Sequence, residues 1–186
     1  MQPTVSSRGE VEEPWQDLLE GRIAYVSTDH APWPLERKTS PDIFANAAGL
    51  IGLQSFAPLM FTLLDERELP PTLMAIYCAE RSAKLHGLWP RKGALRVGSD
   101  CDLAILEPGE FTFDQTSIVD EPDLRWSPYH GRRMRARVVG TVLRGRLIRD
   151  GERVLSEPGN GRFIARTAIS SPPPGRADAA PESSKA

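Results

Sequence analysis

The sequence predicts a mixed α/β chain in two parts: helices around one short buried strand up to about residue 92, then a β-rich stretch to residue 166. Three features point there. Apolar residues recur at helical spacing in several segments between Glu10 and Leu85. Ile23-Ala24-Tyr25-Val26-Ser27 is a brief, mostly apolar run of the kind shown by a strand buried on both faces. Between Arg135 and Arg153, aliphatic residues alternate with polar ones on either side of a glycine.

The elements follow in order. Glu10 to Glu20 places Val11, Trp15, Leu18 and Leu19 on one face and ends at Gly21, which predicts a short helix. The strand at Ile23–Ser27 runs into Thr28-Asp29-His30-Ala31-Pro32, where proline stops regular structure, and a polar loop continues to Pro41. Gly49, Gly52 and Pro58 punctuate the next stretch, and Phe56 to Leu64 reads as a buried helix. A further helix is expected from Thr72 to about Leu85, preceded by Pro70-Pro71, with Leu73, Ile76, Tyr77 and Leu85 as its apolar face. Asp102 to Leu106 reads as a strand, and Arg135 to Arg153 as a hairpin turning near Gly145. The end of the chain, from residue 167, is Ser, Pro, Ala and charge, a composition expected to stay disordered.

Composition narrows the functional classes. A chain of 186 residues with 40% hydrophobic and 26% charged residues can bury a real core. The formal charge of −2 gives no global attraction to nucleic acid or membrane. Nine arginines lie between Arg125 and Arg153, but they alternate with apolar residues, so a solvated strand face is expected in preference to a nucleic-acid stripe. The two cysteines, Cys78 and Cys101, lack ligand spacing and suggest a reducing compartment. No apolar run approaches the roughly 20 residues that span a bilayer, and the N-terminus lacks the pattern of a secretory signal. A soluble, cytoplasmic protein is the expectation.

The stretch from Ser27 to Pro32 carries the most chemical information. A buried strand ending in a carboxylate at the mouth of a long loop is where an α/β barrel puts catalytic groups. Locally, Asp29 also suits an Asx-turn leading to Pro32, and His30 suits a hydrogen-bonded packing role.

The wider pattern resembles a known group. Thr28-Asp29-His30-Ala31-Pro32-Trp33-Pro34-Leu35-Glu36-Arg37-Lys38, followed by Ala48-Gly49-Leu50-Ile51-Gly52-Leu53-Gln54, is similar to the last barrel strand and loop of the dihydroorotase, allantoinase and hydantoinase group of cyclic amidohydrolases. His86-Gly87-Leu88 and Lys92 to Leu106 resemble that group's return to its small β-sandwich, and Ser127-Pro128-Tyr129-His130-Gly131 and Thr141 to Arg146 its closing strands. The likeness runs in one order from residue 8 to residue 166. It implies a C-terminal fragment of a (β/α)8 TIM barrel at residues 1–92 and the C-terminal half of a β-sandwich at 93–166, with a tail at 167–186.

The resemblance also implies chemistry. The resemblance implies two divalent metals, zinc, that lower the pKa of a bridging water and polarise the amide in the intact enzyme. Asp29 matches the aspartate that ligates metal and shuttles the proton. His30 is expected to support it without ligating, and backbone groups around Ala48 and Gly49 to contact the substrate, although the glycines also suit tight turns. The implied substrate is a small cyclic amide or ureide. Trp33 stands where dihydroorotases place a histidine, and the glycine-rich loop looks more like an allantoinase. This chain has three histidines and no His-x-His, whereas the group needs four histidine ligands and a lysine from earlier strands. Alone it is therefore expected to bind no metal stably and to be inactive. A non-catalytic partner-binding subunit or remnant, completing a barrel supplied by another chain, is the other expectation; the partner would be a complementary chain or further copies in a homo-oligomer.

Overall fold

The computed structural model describes residues 8–167. Most of the tail expected to be disordered, residues 168–186, lies outside the described residues. The chain forms two compact units, which it enters and leaves at residues 26/27, 74/75, 99/100 and 161/162.

The larger unit holds residues 27–74 and 100–161 and is built on one antiparallel sheet. Helix α2 is Phe56–Asp65, and α3 is a single turn at Thr72–Met74; both belong to this unit, whereas α1 (Arg8–Leu19) and α4 (Arg81–Leu85) belong to the other. Strands β1 (Leu103–Thr112), β2 (Arg133–Leu143), β3 (Arg146–Asp150) and β4 (Arg153–Val154) lie in the order β1-β2-β3-β4. β1 and β2 pair from Leu103↔Val142 to Thr112↔Arg133, with irregularities after Ile105 and around Pro108. Pro108 is tolerable because β1 is an edge strand, where a missing N–H need not break a ladder. Arg144 (φ 50°) and Gly145 (φ 78°) form the expected hairpin turn, with two positive φ angles in the sense that matches strand twist.

β2 shows why the arginines read as a solvated face. Met134 and Ala136 are fully buried, while Arg133, Arg135 and Arg137 between and beside them are exposed, which is the two-residue period of a half-buried strand. Arg133 pairs with Glu110, Arg135 with Asp65, and Arg137 lies over the Phe111 ring at 4.3 Å. Asp65 holds the Arg135 guanidinium in its charged form, raising its pKa. The core below is Ile51, Phe113, Ile118 and Met134, with Leu59, Leu124 and Trp126 packed against it.

Helix α2 is the buried helix expected from the sequence, and Thr62 ties it to the sheet. Thr62 is fully buried, its hydroxyl donates to the Pro58 carbonyl at 2.7 Å, and it accepts the Arg135 N–H at 2.9 Å. Replacing it with valine keeps the shape but leaves the part-buried Arg135 N–H without its acceptor. Thr62→Val should therefore cost about 1–3 kcal/mol in urea unfolding. A loss below a few tenths would mean that water satisfies the amide.

Among the described residues the smaller unit holds 8–26, 75–99 and 162–167. α1 ends where expected, with Gly21 at φ 77° and Arg22 N–H bonded to the Asp17 carbonyl at 2.8 Å. Of its expected apolar face only Leu18 is buried; Val11 and Leu19 are exposed. The helix expected to run unbroken to Leu85 widens to a π-helix over Ala75–Glu80 before α4. Tyr77, on the widened stretch, is buried with its hydroxyl donating to the Leu18 carbonyl, and Arg81 covers its ring at 4.3 Å. The strand expected at Ile23–Ser27 does not form among the described residues. The Val26 N–H goes instead to the Tyr77 carbonyl at 3.0 Å, because a strand exists only when a neighbouring strand completes its ladder. Among the described residues, no helix is long and apolar enough to cross a membrane.

Candidate functional site

The candidate site lies in the larger unit, where Thr28–Ala31 runs beside Leu50–Leu53. Asp29 is the tip of that first segment, and its backbone has φ 44°. A non-glycine residue is uncommon in this left-handed region, and aspartate is one of the few that visits it; such conformations cluster at functional sites. The carboxylate is exposed.

His30 holds the loop. The two segments form a parallel bridge at His30↔Leu50, and the Ala31 N–H bonds the Leu50 carbonyl at 3.0 Å. The half-buried imidazole accepts two backbone N–H groups on Nδ1, from Gly52 at 3.2 Å and Leu53 at 3.4 Å. His30 is thus a clamp on Leu50–Leu53. Its own N–H is taken by Thr28 Oγ1 at 3.2 Å.

Gly49 allows the close approach. It has φ 110°, and a Cβ there would sit 2.4 Å from the Ala31 Cβ. Ala48, beside it, is exposed. The other side of this loop is held by Lys38, whose ammonium donates to the Ala47 and Gly49 carbonyls at 2.6 Å each. The same ammonium lies 5.7 Å from the Trp126 ring, and Trp126 Nε1 donates to the Trp33 carbonyl at 2.7 Å. Gln54 adds two bonds, to the Ser117 carbonyl at 2.8 Å and from the Val119 N–H at 2.9 Å. Lys38, Gln54 and Trp126 were not legible as site residues in the sequence, because nothing in local spacing marks a lysine that reaches carbonyls 9 and 11 positions ahead.

His30, Ile51, Leu53, Gln54 and Arg149 line a cleft of about 410 Å³ with an apolar floor. Asp29 lines neither this cleft nor the comparable one beside Asp114 and Arg137. The other histidines do separate work: His86 packs edge-on against Tyr25 at 5.8 Å, and His130 Nδ1 accepts the Gln115 N–H at 3.3 Å. Hydrogen bonds from Thr116, with a smaller contribution from His130, hold the Asp114 carboxyl below its ordinary range. Among the described residues no group of three or more His, Cys, Asp or Glu could hold a metal ion. Asp29 can serve as one donor, and the described residues by themselves do not fit a metal centre.

Neither cysteine belongs to the site. Burial pushes the Cys78 thiol up to about 11 from an ordinary 9.0, whereas Cys101 is exposed. A disulfide-exchange reagent at pH 8 should therefore modify Cys101 well before Cys78. Equal rates at pH 8 would show that Cys78 is accessible. Because the folded thiol ionises later than the unfolded one, its effect on stability is flat below pH 9 and turns destabilising as pH rises toward 11.

No family model matches the chain. Known proteins do. The chain is 40% identical over 171 residues to an allantoinase of Rubrobacter xylanophilus, covering 87% of this chain and 35% of the relative. It is 34% identical over 160 residues to an L-hydantoinase of Paenarthrobacter aurescens, covering 82% and 34%. The solved structure of a D-hydantoinase superposes with a TM-score of 0.84 at 26% identity, covering 91% of this chain and 37% of that one. The chain thus spans about a third of the length of the relatives it matches.

Proposed function

We propose that this chain, kin to a C-terminal part of the cyclic amidohydrolases of the allantoinase and hydantoinase group, carries the acid–base carboxylate of a hydrolase that opens a non-peptide C–N bond in a cyclic amide or ureide. The observation that carries the reading is the 40% identity with an allantoinase over 87% of the chain, a span that includes the candidate loop's half of the larger unit. Asp29, held at a left-handed tip, takes the proton of the attacking water and returns it to the departing nitrogen. His30 keeps Leu50–Leu53 in register beside it, and Lys38 holds the Ala47 and Gly49 carbonyls, so the backbone around Ala48 and Gly49 is presented in one conformation to a ring amide.

In this reading residues 1–92 are the end of a barrel and 93–166 part of a sandwich. In the intact enzyme Asp29 would be one of the donors to a divalent metal, zinc being the family's usual ion, which would supply Lewis-acid polarisation of the amide. Among the described residues no further donors gather around Asp29, so in this reading the remaining ligands are supplied from elsewhere in the intact enzyme.

A transplant tests the function. Residues 27–55 of this chain replace the corresponding loop of an active allantoinase, and allantoin hydrolysis is assayed. Retained turnover is expected, since the loop brings its own clamps. A chimera that folds and binds metal normally yet hydrolyses neither allantoin nor hydantoin would sink the reading.

A further inference from the structure

The chain has two asparagines, Asn46 and Asn160, and they sit in opposite circumstances. Both polar ends of the Asn46 side chain are engaged: Oδ1 accepts the Ser40 N–H at 2.8 Å, and Nδ2 donates to the Ser40 carbonyl at 3.1 Å. Asn160 precedes Gly161, in an irregular segment where a Cβ on Gly161 would meet nothing within 4 Å. One guanidinium nitrogen, Nη2 of Arg144, donates both to the Asn160 side-chain Oδ1 at 3.1 Å and to its backbone carbonyl at 2.6 Å.

We propose that Asn160–Gly161 is a self-modification site, at which Arg144 promotes conversion of the asparagine to aspartate and isoaspartate through a cyclic imide. The chemistry balances with water as the only co-reactant. The Gly161 backbone nitrogen gives its proton to water or hydroxide and forms a bond to Cγ of Asn160, placing negative charge on Oδ1; that charge returns to the carbonyl as the Cγ–Nδ2 bond breaks, and Nδ2 takes a proton back from water and leaves as ammonia. Water then opens the five-membered imide. Attack at Cγ gives aspartate, and attack at the Asn160 backbone carbonyl carbon gives isoaspartate. The two carbonyls that become electrophilic are the two that Arg144 already contacts, so its fixed positive charge faces the oxyanion of each step. Gly161, having no Cβ, leaves the attacking nitrogen unhindered. The product gains a carboxylate beside Arg144, and hence an ion pair between the β2–β3 turn and the segment that follows β4.

The full chain is incubated folded at pH 8 and 37 °C over days, and peptide mapping by mass spectrometry is combined with isoaspartyl methyltransferase labelling. Asn160 is expected to convert to both products while Asn46 stays intact. Arg144→Gly, which suits the φ of 50° at that turn, should slow conversion severalfold in the folded chain and leave it unchanged in urea. Gly161→Ala, at a position without a positive φ, should slow it in both conditions. An intact Asn160, conversion of Asn46 at the same rate, or an Arg144→Gly rate equal to the parent in the folded state would each overturn the proposal.

Discussion

Asp29→Asn in the allantoinase chimera is expected to lower kcat by about 10²–10⁴-fold, the range that a positioned acid–base group contributes. The substitution isolates the chemistry from the fold. Asparagine tolerates left-handed backbone about as well as aspartate, so the φ of 44° is not made costlier. The side chain is exposed and nearly isosteric, so packing does not change. What is lost is the ability to take a proton from water and deliver it to nitrogen. Thermal midpoint and allantoin KM should move little while kcat collapses, which separates a proton-transfer role from a purely structural one. Full activity in the asparagine chimera would remove Asp29 from the mechanism, and an equal fall in stability would reassign it to the turn.

Gly49→Ala should be the most damaging single methyl group at the site, at about 2–6 kcal/mol. Two separate costs contribute. A non-glycine residue at φ 110° is strained by about 1–3 kcal/mol, and forcing a Cβ to within 2.4 Å of the Ala31 Cβ adds a packing cost of similar size. The loop has an easier escape than global unfolding: it can release the His30↔Leu50 bridge. The expected signature is therefore early loss of hydrogen-exchange protection at the Ala31 N–H, which bonds the Leu50 carbonyl, together with a lower urea midpoint. Gly131→Ala is the control, since Gly131 shares a positive φ (79°) but a Cβ there meets nothing within 4 Å. It should show the conformational cost alone. If the two alanine variants lose the same stability, close approach plays no part at Gly49.

The strands were the most legible elements because their signal is local. Alternation in β2 and a glycine turn at Arg144-Gly145 are consequences of a two-residue period and of which residues tolerate which backbone angles, whereas β1 runs on past the expected end at Leu106 to Thr112. The Ile23–Ser27 strand misled for the complementary reason. An apolar β-prone run states what a segment would bury, but its hydrogen bonds depend on what lies alongside, and here that is the Tyr77 carbonyl. The π-helical stretch around Tyr77 was equally invisible, since apolar spacing at three and four residues does not distinguish a widened turn from a regular one.

By itself the sequence determined the mixed α/β character, the β2–β3 hairpin and the resemblance to cyclic amidohydrolases, and it singled out Asp29 as the carboxylate to test. These rest on composition, short-range periodicity and ordered motifs, which survive without coordinates. Only the tertiary structure decided that His30 Nδ1 receives the Gly52 and Leu53 N–H groups, that Gly49 is needed for contact with Ala31, and that Lys38 and Trp126 close the loop from behind. Those are contacts between residues as much as 93 positions apart, and no local pattern encodes which distant groups a folded backbone will bring within 3 Å of each other.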